Sequence, residues 1–178
     1  MSQFAPTLTQ AVDDRDHVSG PEDAPVTLVE YGDYQCSYCG QAYPIVKAVQ
    51  EQMGDRLRFV FRNFPISTMH PQAEHAAEAA EAAAVQGKFW EMHDLLYEHQ
   101  DMLDDEHLMD LAEELDLDLK KFEADMVGHE HADRVREEFM SGVRSGVNGT
   151  PSFFINGARF DESWDQDSLG EALEAAAR

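Results

Sequence analysis

Lysine is scarce in this chain, and so is cysteine. There are four lysines (Lys47, Lys88, Lys120 and Lys121), and the 13 basic residues face 36 acidic ones for a formal net charge of −23. A surface of that sign repels phosphate backbones and anionic lipid headgroups, which argues against nucleic acid and the membrane surface as partners. Two readings of the acidity stand side by side. One is a solvated surface with no further meaning. The other is adaptation to a high-salt interior, where dense carboxylates keep a protein hydrated and salt screens their repulsion.

Cys36 and Cys39 are the only cysteines. A secreted chain stapled by disulfides normally carries more of them at wider spacing, and closing so short a loop removes little chain entropy. Long apolar runs are missing too. No stretch approaches the ~18 residues of a membrane-spanning helix, so no membrane insertion is expected. The first residues have neither the basic nor the apolar segment of a signal peptide. A cytoplasmic location is therefore expected, with an extracytoplasmic one left open for a processed chain.

What the chain does contain is enough apolar material for a core: 43% hydrophobic residues over 178 positions suit one well-packed domain with room for an insertion. Residues 1–16 read as a flexible, polar lead-in, and His17 to Pro25 as turn-rich. Val26 to Tyr31 is a nearly continuous apolar run, the pattern of a central strand buried on both faces. After Cys39, the spacing of Ala42, Ile45, Val46, Val49 and Met53 predicts a helix ending at Gly54, with Pro44 kinking it. Arg56 to Arg62 reads as a second strand. From Pro71 to about Arg144 the periodicity predicts about four helices, one of them Ala-rich with Glu74, Glu78 and Glu81 on the other face. Gly149 to Ile155 returns to strand, Asn156-Gly157 signals a hairpin, and Ala158 to Phe160 is its short partner. A last helix carries Leu169, Ala172, Leu173 and Ala176, with Ser163 or Ser168 as candidate N-cap.

The chemistry sits in Val26-Thr-Leu-Val-Glu-Tyr-Gly-Asp-Tyr-Gln-Cys-Ser-Tyr-Cys39. A strand that leads two thiols to the mouth of a helix has the layout of a thioredoxin-like redox motif. The first thiol would face the unpaired N–H groups and positive end of the helix, which favour thiolate. The second would lie deeper on the same side. This makes Cys36 the candidate nucleophile and Cys39 the candidate resolving thiol. The competing readings are a buried inert pair and half of a soft-metal site, the latter short of ligands because no second Cys pair exists. Glu30 is a carboxylate inside an apolar strand, either facing outward or able to exchange protons with the thiols. Asp33 reads as a solvent-facing turn residue. The histidines, including His70, His75, His129 and His131, offer no evident ligand set, so no metal is expected. Phe89, Trp90 and Tyr97 read as core.

Four stretches in this order resemble the DsbA-like (DsbA/BdbD-type) oxidoreductases of the thioredoxin fold. They are Ala24 to Cys39, Phe61-Arg-Asn-Phe-Pro65 with His70-Pro71, Gln86-Gly-Lys-Phe-Trp-Glu-Met-His-Asp94, and Gly146-Val-Asn-Gly-Thr-Pro-Ser-Phe-Phe-Ile-Asn-Gly157. The resemblance implies an α/β fold: a central mixed four-stranded sheet flanked by helices, built from 17–70 and 146–178, with residues 71–145 as an inserted all-helical subdomain. It implies that Pro151 is a cis-proline opposite the active site. Thr150 would offer backbone groups to an extended substrate, beside Ser37 and Tyr38, and Glu30 would be the acidic residue beneath the cysteines. Ser37-Tyr38 departs from the Pro-His common in strongly oxidising members.

The function so implied is disulfide exchange with protein thiols and disulfides through a mixed disulfide. Implied with it are a recycling partner of unknown identity and a monomeric chain, with no cofactor beyond the Cys36–Cys39 disulfide. A reductase or isomerase coupled to a thiol pool, or a soft-metal module, are the alternatives. For the acidic surface, high-salt adaptation requires a clear rise in melting temperature between low and molar salt; an unchanged melt would exclude it.

Overall fold

The computed structural model of the chain describes residues 6–178. Its strands are β1 (His17–Ser19), β2 (Val26–Gly32), β3 (Leu57–Asn63), β4 (Ser152–Ile155) and β5 (Ala158–Phe160), forming one sheet in the order β1-β3-β2-β4-β5. The apolar run of β2 puts it in the middle, with six of its seven residues buried. β2 and β3 are joined through α1 (Ser37–Met53), which stays helical through Pro44, and β4 runs antiparallel to β2 with Glu30 opposite Phe153 and Tyr31 opposite Ser152. Asn156 and Gly157 both take positive φ (49° and 84°), as a two-residue hairpin between β4 and β5 demands.

The sheet has one strand more than the four expected. β1 pairs antiparallel with β3, His17 opposite Phe61 and Ser19 opposite Phe59. Three residues are too few to show an alternation, and the adjoining Gly20-Pro21 reads as a turn. Gly20 leaves the strand at φ +99°, where an added Cβ would lie 2.2 Å from the Leu57 carbonyl oxygen, so glycine is required. Of the expected lead-in, residues 1–5 lie outside the described residues. The following segment is tied to β5: Thr7 bridges Ala158, Leu8 N–H donates to the Gly157 carbonyl (2.8 Å) and Arg159 N–H to the Pro6 carbonyl (2.9 Å).

Contacts divide the chain into two compact units, one made of the residues through Gly32, Gln41–Arg62 and Met140–Arg178, the other of Asp33–Gly40 and Asn63–Phe139. In the first, the sheet unit, Leu28, Val29, Phe59, Phe61, Phe153, Phe154, Leu169 and Leu173 are buried. Among them lies Arg62, only 1% exposed. Its guanidinium donates to both oxygens of Asp16 (2.8 and 3.0 Å), to the Tyr31 hydroxyl (2.9 Å) and to the carbonyls of Gln10 (2.9 Å) and Ala11 (3.3 Å). Burial works against the charged guanidinium, yet Asp16 and Tyr31 outweigh it and hold its pKa above the ordinary value.

The last helix, α7 (Gln166–Ala176), is capped by Asp165 rather than by Ser163 or Ser168. Its carboxylate accepts from the Ser168 N–H (2.9 Å), while the Ser163 and Ser168 hydroxyls donate to its other oxygen (2.6 and 2.9 Å). The two serines serve the cap, and a carboxylate with three donors is the stronger acceptor. These bonds, the Ser163 hydroxyl foremost, hold the Asp165 pKa down at about 2.

The second unit holds α2 (Ala73–Ala84), α3 (Phe89–Glu98), α4 (Asp105–Glu114), α5 (Leu119–Val127) and most of α6 (Ala132–Arg144). That is five helices in the stretch where about four were expected. α5 buries only Phe122, so it leaves no apolar stripe in the sequence. In α2 the glutamate face opposite the alanine stripe is partly an inner one: Glu78 and Glu81 are buried, and only Glu74 of the three is exposed. Alanine side chains let neighbours approach closely, and those neighbours bring partners for the carboxylates. Glu81 pairs with Arg134 and accepts from Asn63 Nδ2 (3.4 Å), and Glu78 bonds His129 Nδ1 (3.0 Å).

Two outcomes follow for stability. Arg62→Met leaves Asp16 buried without its cation and costs about 3–5 kcal/mol in urea unfolding, whereas the double change Arg62→Met/Asp16→Leu recovers most of the loss. Because the folded-state pKa of Asp165 is depressed, its contribution is present above the ordinary carboxylate pKa and lost as pH falls toward about 2. Asp165→Ala therefore lowers the melting temperature at pH 6, and the gap to the parent closes as pH approaches 2.

Candidate functional site

β2 ends at Gly32, and the next four residues turn the chain into α1. Asp33 starts the turn. Its carbonyl accepts from the Cys36 N–H (3.1 Å) and its Oδ1 from the Gln35 N–H (2.8 Å), an Asx turn that sets the direction of the following helix. The Cys36 carbonyl accepts the first helical bond, from the Gly40 N–H (3.1 Å). Cys36 is thus the N-cap residue of α1, and Ser37, Tyr38 and Cys39 occupy its first three positions. Side chains at the N-cap and third positions approach one another over the unpaired N–H groups of the first turn, the geometry that capping boxes use. The intervening dipeptide faces outward: Ser37 is exposed and Tyr38 is 61% exposed, whereas Cys36 is 5% and Cys39 0% exposed. Neither cysteine is in a disulfide.

Asp33 is buried rather than solvent-facing, which corrects the expectation for it. The reason is its set of donors. Beyond the Gln35 N–H, its Oδ2 accepts from the Ile66 N–H (2.9 Å) and from His70 Nδ1 (2.7 Å). A turn carboxylate stays in solvent unless the chain supplies such partners, and here they come from more than thirty residues away.

Other distant residues hold the same turn. The Gln100 side-chain amide donates to the carbonyls of Tyr34 and Cys36 (both 2.9 Å). Gly40 makes room for it, because a Cβ at that position would stand 2.0 Å from Gln100 Oε1. The buried Tyr34 hydroxyl bonds His93 Nδ1 (2.9 Å), and its ring packs against Tyr97 with centroids 4.9 Å apart. Gln35 Oε1 accepts from the Gln72 N–H (2.8 Å). None of Gln100, His93, His70 or Gln72 was singled out as a site residue from sequence. Gly40, directly after Cys39, was the available signal that something presses on the helix there.

Cys36, Ser37, Tyr38 and Cys39 therefore sit together on one turn of the helical unit. Glu30, Thr150 and Pro151 belong to the sheet unit. There Glu30 is buried on β2, 2% exposed, and Thr150 and Pro151 precede the first residue of β4, which pairs with Tyr31 near the end of β2. The Thr150–Pro151 peptide bond is cis, and the Ser152 hydroxyl donates to the Gly149 carbonyl (2.7 Å) behind it. Among the described residues, neither cysteine belongs to a group of three or more side chains arranged to ligate a metal.

Chemically, two thiols at the start of a helix, one slightly exposed and one enclosed, can carry a dithiol–disulfide couple. Known proteins agree with that. The chain is 30% identical to a thioredoxin-like oxidoreductase from Silicibacter pomeroyi, with a TM-score of 0.81 over 92% of this chain and 93% of that one. It is 25% identical to oxidised BdbD from Bacillus subtilis, with a TM-score of 0.84 over 98% of both chains. The Na(+)/H(+) antiporter NhaA 1 of Salinispora arenicola is 49% identical over 165 residues, which make up 92% of this chain and 25% of that protein. The chain spans about a quarter of the length of the curated relatives it matches. A thioredoxin family model matches residues 13–175. With that match running through both units, and with the DsbA-like fold of its structural neighbours, this chain belongs to the thioredoxin family.

Proposed function

We propose that the chain exchanges disulfides with protein substrates, with Cys36 as nucleophile and Cys39 as resolving thiol. The observation that carries this reading is the N-cap position of Cys36. A thiol there is next to unpaired N–H groups and the positive end of a 17-residue helix, both of which favour thiolate, the reactive form. The enclosure of Cys39 supports its role. It is shielded from solvent thiols and three residues along the same helix, so it competes intramolecularly for the sulfur bonded to Cys36.

In the oxidising direction a substrate thiolate attacks the Cys36 sulfur of the Cys36–Cys39 disulfide, and Cys39 leaves as thiolate. A second substrate thiolate then attacks the substrate sulfur of the mixed disulfide and displaces Cys36. Two electrons pass from substrate to the cysteine pair, and a redox partner restores the disulfide. The couple itself carries the electrons, so the proposal includes no further cofactor. Glu30 is proposed to exchange a proton with the thiols, and Thr150, before Pro151, to offer backbone groups to an extended substrate segment. These two roles rest on the family resemblance, joined in the case of Glu30 by the burial of its carboxyl. Ser37 and Tyr38, exposed between the sulfurs, are proposed substrate contacts and the residues that set the potential between the ~−120 mV of a strong oxidant and the ~−270 mV of a reductant.

Transport is no part of the proposal. The antiporter names belong to proteins about four times this length, and no helix among the described residues is long and apolar enough to cross a membrane.

Cys39→Ser removes the resolving thiol, so covalent adducts with substrate proteins should accumulate through Cys36, dissolve on reduction, and be absent from Cys36→Ser/Cys39→Ser. Failure of Cys39→Ser to form any adduct with a reduced or disulfide-bearing substrate protein would overturn the assignment.

A further inference from the structure

In the helical unit, well separated in sequence from the cysteines, α2 and the turn between α5 and α6 bring together two imidazoles and a carboxylate. His75 and Glu78 are three residues apart on α2 and so share a face. His129 comes from the turn with φ +50°, a left-handed conformation that aims its ring back at α2. One ligand atom from each of the three lies within 4.8 Å of the others, and the two rings are 5.7 Å apart between centroids. From this convergence we infer that His75, Glu78 and His129 form a binding site for a divalent transition-metal ion of the zinc class.

The chemistry of the donors selects the ion. Calcium and magnesium take oxygen ligands, whereas two imidazole nitrogens and one carboxylate suit zinc, with three protein ligands and a fourth position for water. The surrounding bonds are those a zinc site uses. His75 Nδ1 is bonded to Asp105 Oδ1 (2.9 Å), which leaves Nε2 to ligate and orients the ring through a carboxylate behind it. His129 Nδ1 and Glu78 Oε1 stand 3.0 Å apart, sharing a proton. An ion with bonds of 2.0–2.1 Å and tetrahedral angles needs about 3.3 Å between ligand atoms, so it replaces that proton with a small outward shift.

Burial divides the labour among the three. The Glu78 side chain is 3% exposed and supplies a fixed anion, while those of His75 and His129 are 42% and 57% exposed and can close on the ion. Beside them is a cavity of about 340 Å³ walled in part by Leu108, Phe122, Met126 and Val127, an apolar flank that lowers competition from bulk water. An ion here ties α2 to the α5–α6 turn, joining ligands from two stretches more than fifty residues apart.

The test uses the full chain carrying Cys36→Ser/Cys39→Ser, so that thiols cannot bind the probe, and Zn²⁺ alone in equilibrium dialysis at moderate salt. One saturable Zn²⁺ per chain is expected, with loss of that stoichiometry in His75→Ala and in His129→Ala. Asp105→Ala should weaken binding by about 10–100-fold. His75 is partly exposed, so His75→Ala should keep the parent's circular dichroism and metal-free melting temperature, whereas His129→Ala takes the imidazole from buried Glu78 and should keep the circular dichroism with a lower metal-free melting temperature. Co²⁺ should give visible tetrahedral bands without thiolate charge transfer. Absence of saturable Zn²⁺ binding, or binding that survives both histidine substitutions as diffuse uptake by surface carboxylates, would overturn the site.

Discussion

Three donors converge on the buried carboxylate of Asp33, two of them backbone N–H groups and the third an imidazole. That convergence is the constraint on which the thiol turn depends. A buried carboxylate is tolerated only when its oxygens are satisfied, so the bonds to Gln35, Ile66 and His70 must form together. Once they do, the chain after β2 can leave in one direction only, and the helix that follows starts at the residue after Cys36. The Cys36 sulfur is therefore placed by a side chain three residues before it.

Gln100 completes that placement from the other side by holding the carbonyls of Tyr34 and Cys36. A backbone carbonyl is present at every residue, so nothing in the local sequence marks these two as needing a partner. The cysteine pair was legible because its spacing is itself the signal. Its support was not, because each supporting residue is ordinary in type and distant along the chain. The fold divides along the same line. Asn156-Gly157 announced its hairpin because positive φ at two successive residues restricts composition locally. β1 stayed hidden because its three residues carry too little pattern, and α5 because a single buried phenylalanine makes no stripe.

The buried glutamates of α2 show a different limit. Periodicity assigns a carboxylate to the outside because burying it alone is costly, and that rule holds until a partner arrives. Arg134 and Asn63 meet Glu81, and His129 meets Glu78, so two members of a strongly acidic complement turn inward. In a chain with so few cations, Arg62 is spent inside and Arg134, itself a third exposed, reaches in to Glu81, while most of the acidic excess remains on the surface. The acidity is thus a property of the surface more than of the frame beneath it.

The short segment tied to β5 matters for encounters between copies of the chain. A sheet edge with a long row of unpaired amides and carbonyls is a template on which another strand can build. Here Pro6, Thr7 and Leu8 already occupy bonding positions along β5, and the opposite edge is a strand of three residues stopped by a glycine. Among the described residues, neither border of the sheet presents a long straight row for a second molecule to extend. Such borders are poor templates for backbone-mediated pairing.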